Sequence, residues 1–568
     1  MQETLYVMLR ACIAWIALWI AFSGCGLLLF AAFRRKQLQP WDLLIMPWLG
    51  WAGAVAFLQI WHCFLPVDSR ALACVSVAGL AGVACYAKPL ADLARQHRNQ
   101  VLMGAGLLLA VVLWMSNQAI KQPRIYDTGL YHLNCIRWAY TYPLIPGLAN
   151  LHGRFGFNNA SFLYTAMLDA GFFKHRSHHL SSSFLMICLL MPCVCAWFSL
   201  FKEKARNART VFYAFSLAPA LVWMVTSGYV SSPSPDVPCF LLALLIGGEL
   251  LGLLDLPPER QREATFAFRW IVAMSLVGLT IKLSFAFFAA GACLVALIEV
   301  LRRKSGHPAQ HILFAALVAL LSVVPWMIRG VFLTGYPAYP AKLFRFTVAW
   351  AVPASSLDVM VERIKAWARI PHVPPEDVLG NLQWMKPWLT RVLHENTLDF
   401  TFPLLTLLLA VVVFLVTMRS PDRTPGRTLW LILLPPLFGL AMWLSAPDPR
   451  YQGSLLWVLA IGLLVLALNF SDTATKWILP LHALVVVGFL MSPIDLVRSW
   501  KDPSVAKRVE MVDRTTRSGL KVLVPAEGDQ AWDSDLPATP YFSPLLRLRV
   551  PGDMSSGFMK EKPQTKLP

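Results

Sequence analysis

About 14 long apolar runs, separated by short charged or turn-rich blocks, limit what this chain can fold into. They are Leu5–Phe33, Leu43–Leu65, Ala71–Tyr86, Val101–Met115, Leu180–Phe201, Val211–Val225, Val237–Leu254, Trp270–Ile281, Leu283–Leu301, Ile312–Ile328, Phe402–Met418, Leu429–Leu444, Leu455–Phe470 and Trp477–Met491. A bilayer core offers no water to satisfy a peptide group, so runs of this length cross it as helices. Only 14% of the 568 residues are charged and 57% are hydrophobic, whereas a soluble domain carries roughly a quarter charged residues. The first run is too long for a signal-peptide core and has no basic region before it, so it reads as a retained helix. The expected fold is an all-α polytopic membrane protein with extracytoplasmic loops and a small α/β C-terminal extension. Three parts follow: N-terminal transmembrane helices (1–100), a transmembrane core (101–491) with external loops 116–179 and 330–399, and an extracytoplasmic extension (492–568).

The net charge is +18, from 50 Lys and Arg against 32 Asp and Glu. Much of the excess sits in short loops, at Arg34–Lys36, Lys202–Arg209, Arg302–Lys304 and Arg419–Arg427. Such loops stay cytoplasmic, so the excess needs no nucleic acid to explain it. Counting crossings from them puts the Asp127 loop, the Ser231–Pro235 turn, the Gly330–Asp399 loop, the Ala446–Tyr451 turn and the tail after Ser492 outside. The expected location is therefore the inner (plasma) membrane, with any external site on the extracytoplasmic face. The segment Ser161–Phe173 is too short to span and reads as lying at the outer interface. Within the external loop, Ser356–Ile370 has helical spacing. In the tail, Val505–Thr516 reads as a helix, and Gly519–Pro525 and Leu546–Pro551 as strands. The 11 cysteines show no zinc or disulfide spacing and read as packing residues.

Asp127 is the only carboxylate between Leu102 and Leu168, in the loop Lys121-Gln-Pro-Arg-Ile-Tyr-Asp-Thr-Gly-Leu-Tyr-His132. A carboxylate among cations beside a membrane can act as a general base. Arg124, His132 and Arg137 are donors suited to a phosphate, and Tyr126 and Tyr131 suit a sugar face. The simpler role for Asp127 is to N-cap a helix over Thr128–Tyr140. Asn150, His152, Arg154, Asn158 and Asn159 crowd the following loop, where they can grip a glycan or merely close turns. Asp236 opens a span, either as a second acid or as a helix-dipole partner. Lys282 stands in an apolar surround, where a cation marks function or snorkels to the interface. Arg450 can pair a phosphate or Asp448. His175, His178 and His179 have helical spacing but read as a solvated cluster, not a metal site. No nucleotide-binding phosphate loop is present.

These pieces resemble the GT-C superfamily of membrane glycosyltransferases, which includes protein O-mannosyltransferases and the lipid A aminoarabinose transferase. The matching features are the Asp127 loop after a span, Pro235-Asp236 at a span start, Thr280-Ile-Lys282, Pro325-Trp326 before a long external loop, Thr334–Pro340 and Arg450-Tyr451. The Tyr-Asp-Thr-Gly-Leu-Tyr-His run is also similar to uncharacterised bacterial polytopic membrane proteins. Two features depart from the family: three spans precede the one leading to the Asp127 loop, and Thr280-Ile-Lys282 lacks a Gly. The resemblance implies a GT-C-like bundle that uses a polyprenyl-phosphate-linked sugar, with a lipid, glycan or protein acceptor. Asp127 would be the catalytic base. Arg124, Tyr131, His132, Arg154, Asn158, Asp236, Lys282, Arg450 and Tyr451 would bind substrate. A basic phosphate site would dispense with metal; Asp127 with Asp236 would otherwise hold Mg or Mn. The rival classes are a transporter or flippase of an anionic lipid or polysaccharide, and a polysaccharide polymerase or ligase.

Overall fold

The computed structural model describes residues 2–33, 37–202, 207–419, 427–470, 478, 480, 482, 484–488, 507 and 509–561. The chain is mostly helical. Among the described residues, nine helices are long and apolar enough to cross a membrane, or ten if the bent pair Ser69–Cys85 and Ala87–Gln96 is one span. Two further apolar helices, Thr428–Trp443 and Leu455–Leu468, are shorter. The run Trp477–Met491 lies largely outside the described residues, as do the basic clusters Arg34–Lys36 and parts of those near 205 and 423.

Burial separates the helices into a centre and a rim. Asp236–Leu254 and Gln261–Ile281 are almost wholly buried, while Pro308–Thr334 and Thr397–Arg419 expose rows of Leu, Ile, Val and Phe. That exposed apolar surface is what a lipid-facing rim requires. Glycines set the closest contacts. A Cβ at Gly24 would fall 1.8 Å from the Gly79 carbonyl oxygen, and one at Gly50 1.8 Å from that of Phe22. Only glycine lets these backbones meet, as in small-residue membrane interfaces.

Contacts between helix ends fall into two groups. At one end Arg303 donates to the carbonyls of Leu256 and Pro257, and Asp255 accepts from the Ala208 amide. The other end gathers the Asp127 loop, the Ser231–Pro235 turn, Lys282, Arg450 and the Gly330–Asp399 loop. This grouping is the one the crossing count predicts.

Several local expectations change. Ser161–Met167 is a short helix buried among its neighbours. The helix expected over Ser356–Ile370 forms as Ala354–Arg369. In the extension, the described part of Val505–Thr516 holds a strand at Met511–Thr515 in place of the expected helix. β1 (Met511–Thr515) pairs antiparallel with β2 (Lys521–Pro525), and β3 (Leu546–Val550) with β4 (Asp553–Lys560). The extension is therefore two small two-stranded sheets, all-β among its described residues. Alternating Val, Leu and charged residues favour paired strands with one buried face.

Candidate active site

Asp127 occupies the N-cap position of a π-helical turn, Thr128–His132, that runs into the helix Leu133–Thr141. Its carboxylate makes no capping bond. It takes Arg154 Nη1 on Oδ1 at 2.7 Å and Arg450 Nη1 on Oδ2 at 3.2 Å instead. Burial pushes the carboxyl up, but Arg154 and Arg450 outweigh burial and hold it below the usual carboxylate range.

Each partner is itself positioned. Arg154 sits in the short 3-10 turn Gly153–Phe157, with its guanidinium 5.5 Å from the Tyr131 ring centre. Arg450 follows Asp448, whose carboxylate accepts both the Arg450 amide (2.9 Å) and Nε (3.3 Å). Lys282 is the one extended residue between the helix Gln261–Ile281 and the turn Leu283–Phe285. That break aims its ammonium at Asp236, with which it pairs, and over the Tyr451 ring at 4.7 Å. Asp236 also accepts from Ser234 Oγ at 3.3 Å. Lys282 acts electrostatically on Asp127, so the two pairs form one network.

Asp127, Tyr131, His132, Arg154, Asp236, Lys282, Arg450 and Tyr451 thus meet. Arg124 is exposed and lies against Gly228. The Asn158 amide donates to the Trp326 carbonyl at 2.6 Å, while Trp326 Nε1 returns a bond to the Asn158 carbonyl. Asn159 caps the Ile281 carbonyl at the Lys282 break, and Asn150 holds Trp350 and Phe558. These amides hold loop geometry. Burial drives His132 down to about 4, so it faces the site neutral, with its Nδ1 unbonded.

The chamber expected to be basic is a balanced network. Arg154, Lys282 and Arg450 face Asp127, Asp236 and Asp448. An acid without sequence signal stands beside it: Asp399 accepts from Trp223 Nε1 at 2.6 Å, and Trp223 stacks on Tyr229 at 4.2 Å. Tyr229 in turn feels Asp399, Asp236 and Arg450. No spacing in the sequence brings Asp399 near Arg450; only the fold does. Both Asp127 oxygens and Asp236 Oδ1 meet cations, and Asp236 Oδ2 accepts from Ser234 Oγ. Among the described residues no three His, Cys, Asp or Glu side chains converge as a metal site. The histidine triplet is not one solvated cluster: His178 and His179 are buried against each other, while the partly exposed His175 binds Asp533.

The C-terminal extension grips the acid loop on both sides of Asp127. Trp532 donates its amide to the Gly129 carbonyl at 2.8 Å, Asn134 bonds the Trp532 carbonyl, and Tyr126 bonds Asp529. Arg137, expected at a phosphate, instead pairs with Asp533 and Asp535. A cavity of about 270 Å³ lies beyond that pair, lined by Arg137, Tyr140, Asp169, Lys174 and Asp533.

No curated protein and no solved structure matches the chain. A family profile described as a domain of unknown function, DUF8201, covers residues 8–457 and ends before the extension. With most of its length inside that profile, the chain belongs to the DUF8201 family.

Proposed function

We propose that this protein transfers a sugar from a polyprenyl-phosphate-linked donor to an acceptor at the extracytoplasmic face of the inner membrane. The supporting observation is the meeting of one ionised carboxylate, Asp127, with two guanidiniums from distant parts of the chain, Arg154 and Arg450. In the proposed step Asp127 takes the proton of the acceptor hydroxyl or amide. The acceptor atom attacks the anomeric carbon, and the bond from that carbon to the phosphate oxygen breaks with inversion. The lipid phosphate leaves with the electron pair. Arg154, Arg450 and Lys282 neutralise the charge that builds on it, the role preorganised cations fill best.

The balanced network adds a condition. The arginines lie on Asp127 before substrate arrives, so a donor phosphate must compete for them. Drawing them toward phosphate oxygens frees the carboxylate and raises its basicity when the acceptor is in place. The glycosyl phosphate bond already stores the energy of transfer, which suits a chain without a nucleotide site. Mass spectrometry of surface glycans and lipid-linked sugars, with and without the protein, tests this reading. The expected result is loss of one glycan modification with accumulation of one polyprenyl-phosphate sugar. Unchanged glycans and unchanged carriers would contradict it.

A further inference from the structure

A second charged group stands apart from this network. Arg329 lies in the last turns of the helix Pro308–Thr334, 4% exposed. It forms no ion pair among the described residues, and its Nε and Nη1 make no hydrogen bond. It acts electrostatically on His62, Cys63 and Cys135, none of them a carboxylate. His62 ends the helix Pro40–His62, and its Nδ1 is also unbonded. Gln59, one turn earlier on the same face, is fully buried with both amide atoms unbonded. A guanidinium cannot discharge by losing its proton, and a buried cation without a counter-ion is among the costliest states a membrane protein can hold. The polar atoms left over here include cationic and amide donors, which points to an anion supplied from outside the chain.

The surroundings name the anion. Met327, Ile328 and Phe332 flank Arg329 and are 37–46% exposed; Phe57 and Ile60 on the partner helix, and Phe64 just after it, are 37–75% exposed. Large apolar side chains exposed on membrane-spanning helices face acyl chains. A phosphate beside acyl chains is a lipid headgroup, and guanidinium matches phosphate oxygens. We infer that Arg329, with Gln59 and His62, binds the phosphate of a membrane lipid between these two helix ends. The site is separate from the Asp127 network, whose paired cations are Arg154, Lys282 and Arg450.

The test is thermal unfolding of the purified full-length protein in an uncharged detergent. Three additions are compared: phosphatidylglycerol, a diacylglycerol with the same chains, and inorganic phosphate. Phosphatidylglycerol should raise the midpoint and diacylglycerol should not. Arg329→Met should weaken the phosphatidylglycerol response about tenfold or more in concentration, the scale of a lost charge-assisted bond. Arg154→Met should keep it. A response to inorganic phosphate that Arg329→Met abolishes would assign the same phosphate site to the free ion. Should Arg329→Met not fold, Gln59→Leu serves in its place, with a weakened response expected. A wild-type midpoint indifferent to both phosphate sources, or a variant that responds as wild type does, overturns the inference.

Discussion

Arg154 and Arg450 share one carboxylate, so their loss should be felt in donor binding first. Arg450→Ala is expected to raise the KM for donor about 10- to 100-fold, the range for hydrogen bonds to charged groups, measured by donor titration at saturating acceptor. Arg154→Lys should not rescue fully, since an ammonium cannot span carboxylate and phosphate as a planar guanidinium does. The ionised state of Asp127 is robust. Its folded pKa is depressed, so the stability it contributes is fully present above the unfolded value of about 3.9 and lost only as pH falls toward the folded one. The acid limb of kcat/KM assigned to this base should accordingly lie below about 3.9 in the free enzyme; a limb near neutrality would assign the base elsewhere. At this scale much was legible in sequence: an acid alone in a 67-residue stretch of the chain, and a lysine in an apolar surround. What was not legible was pairing. Asp236 beside Lys282, and Asp399 beside Trp223, depend on helix ends meeting across 46 and 176 residues.

The element that most changes the picture is the C-terminal extension. Its strands carry weak patterning and half of its expected helix is a strand, because its pairing partners lie along the tail itself and its docking partner lies near residue 129. A Cβ at Gly129 would come 2.6 Å from the Trp532 ring. Gly129→Ala should therefore loosen the extension, at a cost of about 1–3 kcal/mol typical of overpacking, read as faster hydrogen exchange in residues 511–560. A second handle is pH. The bond to Asp533 raises His175 above its ordinary value. A raised folded pKa contributes stability that is fully present below about 6.5 and lost as pH rises through the folded value. Protection of the extension against proteolysis should fall as pH rises above about 6.5, and His175→Gln should flatten that dependence. Invariant protection in the wild type would remove His175 from the docking account.

For the whole molecule, apolar runs and basic blocks divided the helix ends into two sets, and the fold brings one set together around Asp127. The number of spans was less legible, because short runs such as Leu429–Leu444 and Leu455–Phe470 fit both a span and a packed helix. A topology reporter fused to the C-terminus should be active only on the extracytoplasmic side, since the extension docks on the Asp127 loop; a cytoplasmic signal would reverse the orientation. The most direct measurement is transfer by purified protein in proteoliposomes, following release of polyprenyl phosphate from polyprenyl-phosphate-linked sugars in the presence of a membrane acceptor extract. Wild type should release it, and Asp127→Asn, inserted equally well, should be slower by about 100- to 10,000-fold, the contribution of a positioned base. Equal release by both proteins, or none by wild type from any such donor, would contradict the account.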